Sequence, residues 1–200
     1  MSGIRKRSEL RAAAVLAIAL LVAACTANEP EPTAPPGVSG PQTVPPLGIR
    51  LAKVNAVALK GRLPRGPYMA SAEQIRTTIS LMYTAGFVDP AQWQAGYPGV
   101  LDAFAPQTRN RARDDLNQLT LGGSAKSLTS MLPHSARIVI RFLPNDERNP
   151  IAAIADMRFN GVASGNGFEV PVRHEGEYLM RRLDGRWLIV GYDVHGRVGT

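Results

Sequence analysis

The chain has one cysteine in 200 residues, Cys25. No disulfide can form within it, so the folded part depends on a packed core. It also lacks an uninterrupted apolar run of the ~20 residues that a membrane-spanning helix needs. The longest such run, Ala12 to Ala24, is shorter than that. Familiar catalytic signatures are missing too. There is no G-x-S-x-G, no P-loop, no G-x-G-x-x-G leading from strand to helix and no H-E-x-x-H, so none of the chemistries that those spacings serve is indicated. Gly165-Asn166-Gly167 reads as a turn rather than a phosphate cradle. The densest basic group, Arg109, Arg111 and Arg113, is followed by Asp114 and Asp115, which describes a solvated helix face and not a surface that reads nucleic acid. No cofactor, no metal site and no nucleic-acid partner is implied.

What is present begins at the N-terminus. Arg5, Lys6, Arg7 and Arg11 precede the apolar run, which ends Val22-Ala23-Ala24-Cys25. A basic n-region, a short apolar h-region and small residues before a cleavage point are the layout of a secretory signal peptide. The placement of the sole cysteine directly after the small residues resembles the lipobox of bacterial lipoproteins. That resemblance implies that Cys25 is lipidated and becomes the first residue of the mature chain, on the extracytoplasmic side of a cell membrane. Acyl chains contribute ~0.8 kcal/mol per buried CH₂, so several of them hold a protein at a bilayer firmly.

Residues 1–24 are therefore expected to be a lipoprotein signal peptide. Without them the formal charge of +7 drops by four basic residues and one acid, to about +4. Residues 25–47 hold the lipidated cysteine and a linker with seven prolines; at ~3.1 Å per residue it spans up to roughly 70 Å. Residues 48–200 have the size of one ordinary domain.

Within that domain Ile49 to Leu59 alternates loosely, as an edge strand does. Ser71 reads as a helix N-cap followed by Glu73 in the first turn, with Ile75, Ile79, Met82 and Tyr83 at helical spacing as far as Gly86. Asp89-Pro90 opens a second helix, and a third is expected from about Pro106 to Leu119. The last third of the chain changes period. Ile138, Ile140 and Phe142 alternate with Arg137 and Arg141. Ala153, Ala155, Met157 and Phe159 share one strand face, and Val170, Val172, His174, Tyr178 and Met180 share another. Asp184-Gly185 is a two-residue hairpin signal. Carried along from Leu183–Arg186, that hairpin pairs Met180 with Ile189, Tyr178 with Gly191 and His174 with His195. Leu188, Val190, Tyr192 and Val194 then fall together on the opposite face, an apolar row that needs a cover. A bulge at Gly176 would shift every pair beyond it.

This pattern predicts an α+β fold in which N-terminal helices pack on a curved, C-terminal four-stranded antiparallel meander. With DGRWLIVGYDV as its last strand, residues 70–197 resemble the NTF2-like (cystatin-like, SnoaL-like) superfamily. The resemblance implies a cone with an internal cavity, and often a dimer through the convex sheet face. The Leu188, Val190, Tyr192, Val194 row fits such an interface, to a second copy or to an envelope protein. Tyr83, His174, Tyr178 and Trp187 are expected to line the cavity. Enzymes of this superfamily, isomerases and dehydratases, need an acid–base pair inside the cone. Here His174 alone interrupts an otherwise apolar row, with Asp193 a second candidate, and no catalytic residue is assigned. The expected function is a membrane-anchored, non-catalytic module that binds a protein or a small apolar ligand; the alternative is an isomerase- or dehydratase-type enzyme. Mass spectrometry of the membrane fraction tests the anchor. Cys25→Ala abolishes the lipid adduct, and an unchanged mass shift contradicts the assignment.

Overall fold

The structure, a computed structural model, describes residues 44–56 and 65–199. The signal peptide, Cys25 and most of the Pro-rich linker lie outside the described residues. The chain divides into two units, Met1–Gly40 and Pro41–Thr200, and the second carries its own core. Leu47, placed by sequence at the end of the linker, is buried in that core. Its N–H donates to Thr84 Oγ1 at 2.7 Å, and its carbonyl accepts from Ser80 Oγ.

Strand β1 (Arg50–Ala56) is followed by helix α1 (Arg65–Tyr83), which runs on into a π-helical turn, Thr84–Val88. Short helices α2 (Pro90–Gln94), α3 (Pro98–Leu101), α4 (Pro106–Asp114) and α5 (Leu116–Leu119) come next, then a 3₁₀ segment, Gly122–Ser127. Four long strands complete the domain: β2 (Ser130–Pro144), β3 (Pro150–Gly165), β4 (Phe168–Leu183) and β5 (Arg186–Val198). Asp89 caps α2 as its spacing predicts, accepting from the Ala91 N–H at 3.0 Å with Pro90 in the first turn. The helix expected from Pro106 to Leu119 is broken at Asp115 into α4 and α5.

The fold is α+β, with a five-stranded mixed sheet that curls without closing. Its order is β1-β2-β3-β4-β5. Neighbours from β2 onward pair antiparallel, and β1 pairs parallel with β2. The segment expected as an edge strand forms β1 and adds a fifth, parallel strand to the four of the expected meander. Its Leu51 and Val54 sit beside Ile138 and Ile140 and pack on the core, while Arg50 and Lys53 stay exposed.

The inner face of the sheet is apolar by alternation. Ile138, Ile140 and Phe142 of β2 lie beside Met157, Ala155 and Ala153 of β3, and then Gly176, Tyr178 and Met180 of β4. Across this face α1 lays Tyr68, Ala72, Ile75, Ile79, Met82 and Tyr83, recurring every three or four residues and each at most 1% exposed. Small side chains at Ala153 and Ala155 keep the sheet centre shallow where the helix crosses it. Both late hairpins turn on residues of positive φ, Asn166 (49°) with Gly167 (82°) and Asp184 (48°) with Gly185 (79°), which suits the twist of the flanking strands.

Beyond the second hairpin the structure departs from the expected register. Pairing follows the turn as far as Met180 and Ile189, then shifts so that Leu179 meets Gly191 and Tyr178 meets Tyr192. Val190 is the extra residue of a β-bulge, and every later β5 side chain changes face. His174 therefore lies beside Gly196, not His195. At the same point the outer edge of β5 is occupied. Ile189 bonds through its N–H to Ala103 O and through its carbonyl to the Ala105 N–H, both at 2.9 Å, and Thr108 Oγ1 donates to Val190 O at 3.2 Å.

One close approach fixes β4. The Tyr178 ring lies over Gly176, and a Cβ there would meet its ring and hydroxyl atoms at 2.6–2.7 Å. Gly176→Ala is expected to destabilise the domain by about 1–3 kcal/mol through this overpacking. Gly191→Ala, whose nearest atom would stand 3.6 Å away, is expected to be neutral within about 0.5 kcal/mol. Urea denaturation of both variants checks the difference.

Candidate functional site

Three polar side chains meet where the end of α1 crosses β4. Tyr83 is the last residue of α1, and His174 and Tyr178 share the inner face of β4 because they are four residues apart. Tyr83 Oη lies 2.8 Å from His174 Nδ1 and 3.1 Å from Tyr178 Oη. His174 Nε2 lies 2.9 Å from the backbone carbonyl of Gln118. A carbonyl can only accept, so Nε2 carries the hydrogen and Nδ1 is the bare nitrogen. Tyr83 must then donate to Nδ1, which leaves its oxygen to accept from Tyr178. The proton order Tyr178 to Tyr83 to His174 to Gln118 is thus unique for a neutral imidazole.

All three side chains are buried, His174 at 1% exposure and both tyrosines at 0%. Phe87 and Phe159 close the sides, with Phe87 4.8 Å from the His174 ring centroid and 5.3 Å from Phe159. Burial pushes the His174 pKa down from 6.5 to about 4; the Gln118 carbonyl opposes that shift and His195 adds slightly to it. Burial also raises the pKa of Tyr83 and of Tyr178. The imidazole is neutral at physiological pH, its donor is committed to a carbonyl and its acceptor to a phenol. In this arrangement both ring nitrogens are held by the protein itself, while the ring borders an open groove.

The remaining predicted residues are distributed as follows. Trp187 is buried at 2% but lies at the far end of the sheet, edge-on to Phe142 at 5.8 Å, and does not join His174. Leu188, beside Arg181 on the outer face, is only 9% exposed. Val190 sits in the bulge, half-buried. Tyr192 and Val194, expected outside, face the helices because the bulge reverses their parity. Tyr192 donates to Asp115 Oδ2 at 2.7 Å, meets Phe104 edge-on at 5.4 Å and carries the Arg111 guanidinium 4.8 Å above its ring. Asp193 and His195 are exposed on the outer face, so neither converges with His174. Among the described residues no group of three His, Cys, Asp or Glu side chains could hold a metal ion.

The continuous apolar row expected on the convex face is therefore replaced by charge. Arg141 bridges Asp156 at 3.1 Å and Glu177 at 3.0 Å, and Arg158 faces Glu175 at 3.7 Å. On the inner side an open groove of about 780 Å³ runs between the Gln118–Ser124 segment and the paired ends of β4 and β5. Phe87, Val172 and Val194 contribute apolar surface to it, and Arg173, Glu175 and Arg197 give it a charged rim. Phe87 and the Gln118 carbonyl escaped sequence reasoning: the first falls in the π-turn, where helical spacing lapses, and the second is a backbone atom. The chain matches no protein-family model, and a search of curated proteins finds no similar sequence.

The neutral histidine sets a pH dependence. Its folded pKa is below its unfolded value, so the unfolded chain takes up the extra proton between pH 6.5 and about 4. Stability is then expected to be complete above pH 6.5 and to fall by on the order of 3 kcal/mol as the pH approaches 4. His174→Gln flattens this slope in urea titrations at several pH values. A stability profile identical in the two proteins contradicts the assignment. Tyr83→Phe, which strips partners from both His174 and Tyr178, is expected to cost about 2–3 kcal/mol, against about 1 kcal/mol for Tyr178→Phe.

Proposed function

We propose that this protein is a membrane-anchored extracytoplasmic lipoprotein whose α+β domain, built as an NTF2-like cone, is a non-catalytic binding module of the cell envelope. The observation that carries this reading is the closed hydrogen-bond chain through Tyr178, Tyr83, His174 and Gln118. A general base must reach a substrate proton directly or through one water, and the one inward-facing imidazole, although its ring borders the groove, has both nitrogens committed to Tyr83 and the Gln118 carbonyl. The consecutive antiparallel strands from β2 to β5, curled about α1, support the cone. The leader supports the anchor through its basic start, short apolar run and Val22-Ala23-Ala24-Cys25 end.

The groove beside Gln118–Ser124 is the binding site that this reading favours. Its openness and its rim of Arg173, Glu175 and Arg197 suit a segment of a partner protein better than a small apolar ligand, which is normally enclosed on most sides. A photo-crosslinking residue in place of Ser124 in the groove is expected to give one discrete protein adduct in intact cells, and the same residue in place of Gln74 on α1 none. Cys25→Ala, which releases the protein from the membrane, is expected to weaken that adduct severalfold. Equal adducts from both positions contradict the groove assignment.

A further inference from the structure

The end of the sheet opposite the Asp184-Gly185 turn carries two features that extend beyond the groove, although Arg173 and Arg197 also form part of its rim. The first is a pair of exposed apolar side chains at this end, Phe168 at 41% exposure beside the β3–β4 hairpin and Leu132 at 65% in the row of Val162 and Pro171. The second is a collar of arginines on the outer face, one and two side-chain rows further from the hairpin. Arg173 stands directly opposite Arg197 across β4 and β5. In the next row Arg50, Arg137 and Arg158 are direct neighbours across β1, β2 and β3.

Like charges directly opposite in a sheet destabilise it, and here they recur in adjacent rows with little compensation. Only Arg158 has a carboxylate partner, Glu175 at 3.7 Å. Among the described residues Arg50, Arg137, Arg173 and Arg197 form no side-chain ion pair. The acidic groups near this end are Glu175 in the collar and Glu169 beside the hairpin, the latter 3.5 Å from Ser164 Oγ. The acidic row of Asp156, Glu177 and Asp193 is the next outer-face row beyond Arg50–Arg137–Arg158, about 7 Å along the strands, and two of its carboxylates are held by Arg141. The Arg173–Arg197 row stands about 13 Å from it, more than one Debye length at physiological salt, so an anion there is little opposed.

We infer that this end of the domain docks on the surface of a bilayer containing anionic phospholipid. Leu132 and Phe168 enter the headgroup boundary, and the Arg173–Arg197 and Arg50–Arg137–Arg158 rows lie at the level of the phosphates. Apolar tip and cationic collar together fit a lipid interface, which offers hydrocarbon beneath a layer of negative charge; a soluble polyanion would use the arginines alone. The choice of a membrane rests on the lipid-anchor reading of Cys25, which keeps the domain within reach of one.

The test is sedimentation with vesicles of the chain from residue 25 onward, with Cys25→Ser so that no acyl chain contributes. This protein retains all of the Pro41–Thr200 unit. It is expected to bind phosphatidylcholine vesicles containing about 30% phosphatidylglycerol, to bind pure phosphatidylcholine far less, and to be released by salt. Arg137→Gln, Arg173→Gln and Arg197→Gln are each expected to weaken binding about fivefold, and Leu132→Ser roughly fivefold. The paired control Arg111→Gln, Arg113→Gln on α4 leaves it unchanged. Circular dichroism confirms that each variant is folded, as substitution of exposed side chains predicts. Equal binding to both vesicle types, or equal losses from the α4 control, overturns the inference. So does unchanged binding by Leu132→Ser combined with full competition by soluble polyphosphate, which reassigns the arginines to a polyanion. Because the probe carries no lipid, these outcomes are independent of the Cys25 adduct, which is read by mass.

Discussion

The constraint on which this domain turns is the buried run of hydrogen bonds from Tyr178 through Tyr83 and His174 to the carbonyl of Gln118. It joins the end of α1, the centre of β4 and the residues just before the 3₁₀ segment, fully buried at Tyr83 and Tyr178 and part-buried where it ends at Gln118. Each unsatisfied polar group there would cost about 1–3 kcal/mol, so the elements must meet in one arrangement for the core to close. Gly176 is part of the same constraint, since only a glycine lets the Tyr178 ring lie flat along its strand. The aromatic rings of Phe87 and Phe159 pack against the run, and burial keeps the imidazole neutral.

A second constraint is the bulge at Val190. It turns Tyr192 and Val194 toward the helices, where Asp115, Arg111 and Phe104 receive the Tyr192 ring and hydroxyl. It also sends Asp193 and His195 outward into a charged face. One inserted residue therefore decides that the convex surface is ionic and that the groove acquires apolar lining. The edge contacts of Ile189 with Ala103 and Ala105 hold β5 against the helical layer at the turning point.

These two constraints differ in how far the sequence discloses them. The strand alternation from Arg137 onward, the Asp184-Gly185 turn and the Asp89-Pro90 cap are local patterns, and the structure carries each of them. His174 is visible as the one polar break in an apolar row, and Tyr83 as the end of a helical stripe. The bulge is not visible because Trp187-Leu188-Ile189-Val190 is apolar at both parities, so a one-residue slip leaves no mark. The parallel pairing of β1 is hidden for another reason: Arg50 and its partner Arg137 are separated by the whole helical layer. Gln118 acts through a backbone carbonyl, which no side-chain pattern can announce. The surfaces proposed for function are the groove and the tip of the sheet, on a chain that the leader is proposed to tether.

The central claim is that His174 is a neutral, fully partnered core residue, and nitrogen-15 NMR of its imidazole tests it most directly. The account predicts a protonated Nε2 and a bare Nδ1, unchanged from pH 8 down to about pH 5, since burial holds the pKa near 4. A ring protonated at Nδ1 instead, or one that titrates at its ordinary value of 6.5, would contradict the closed network and reopen the interior as a place for chemistry.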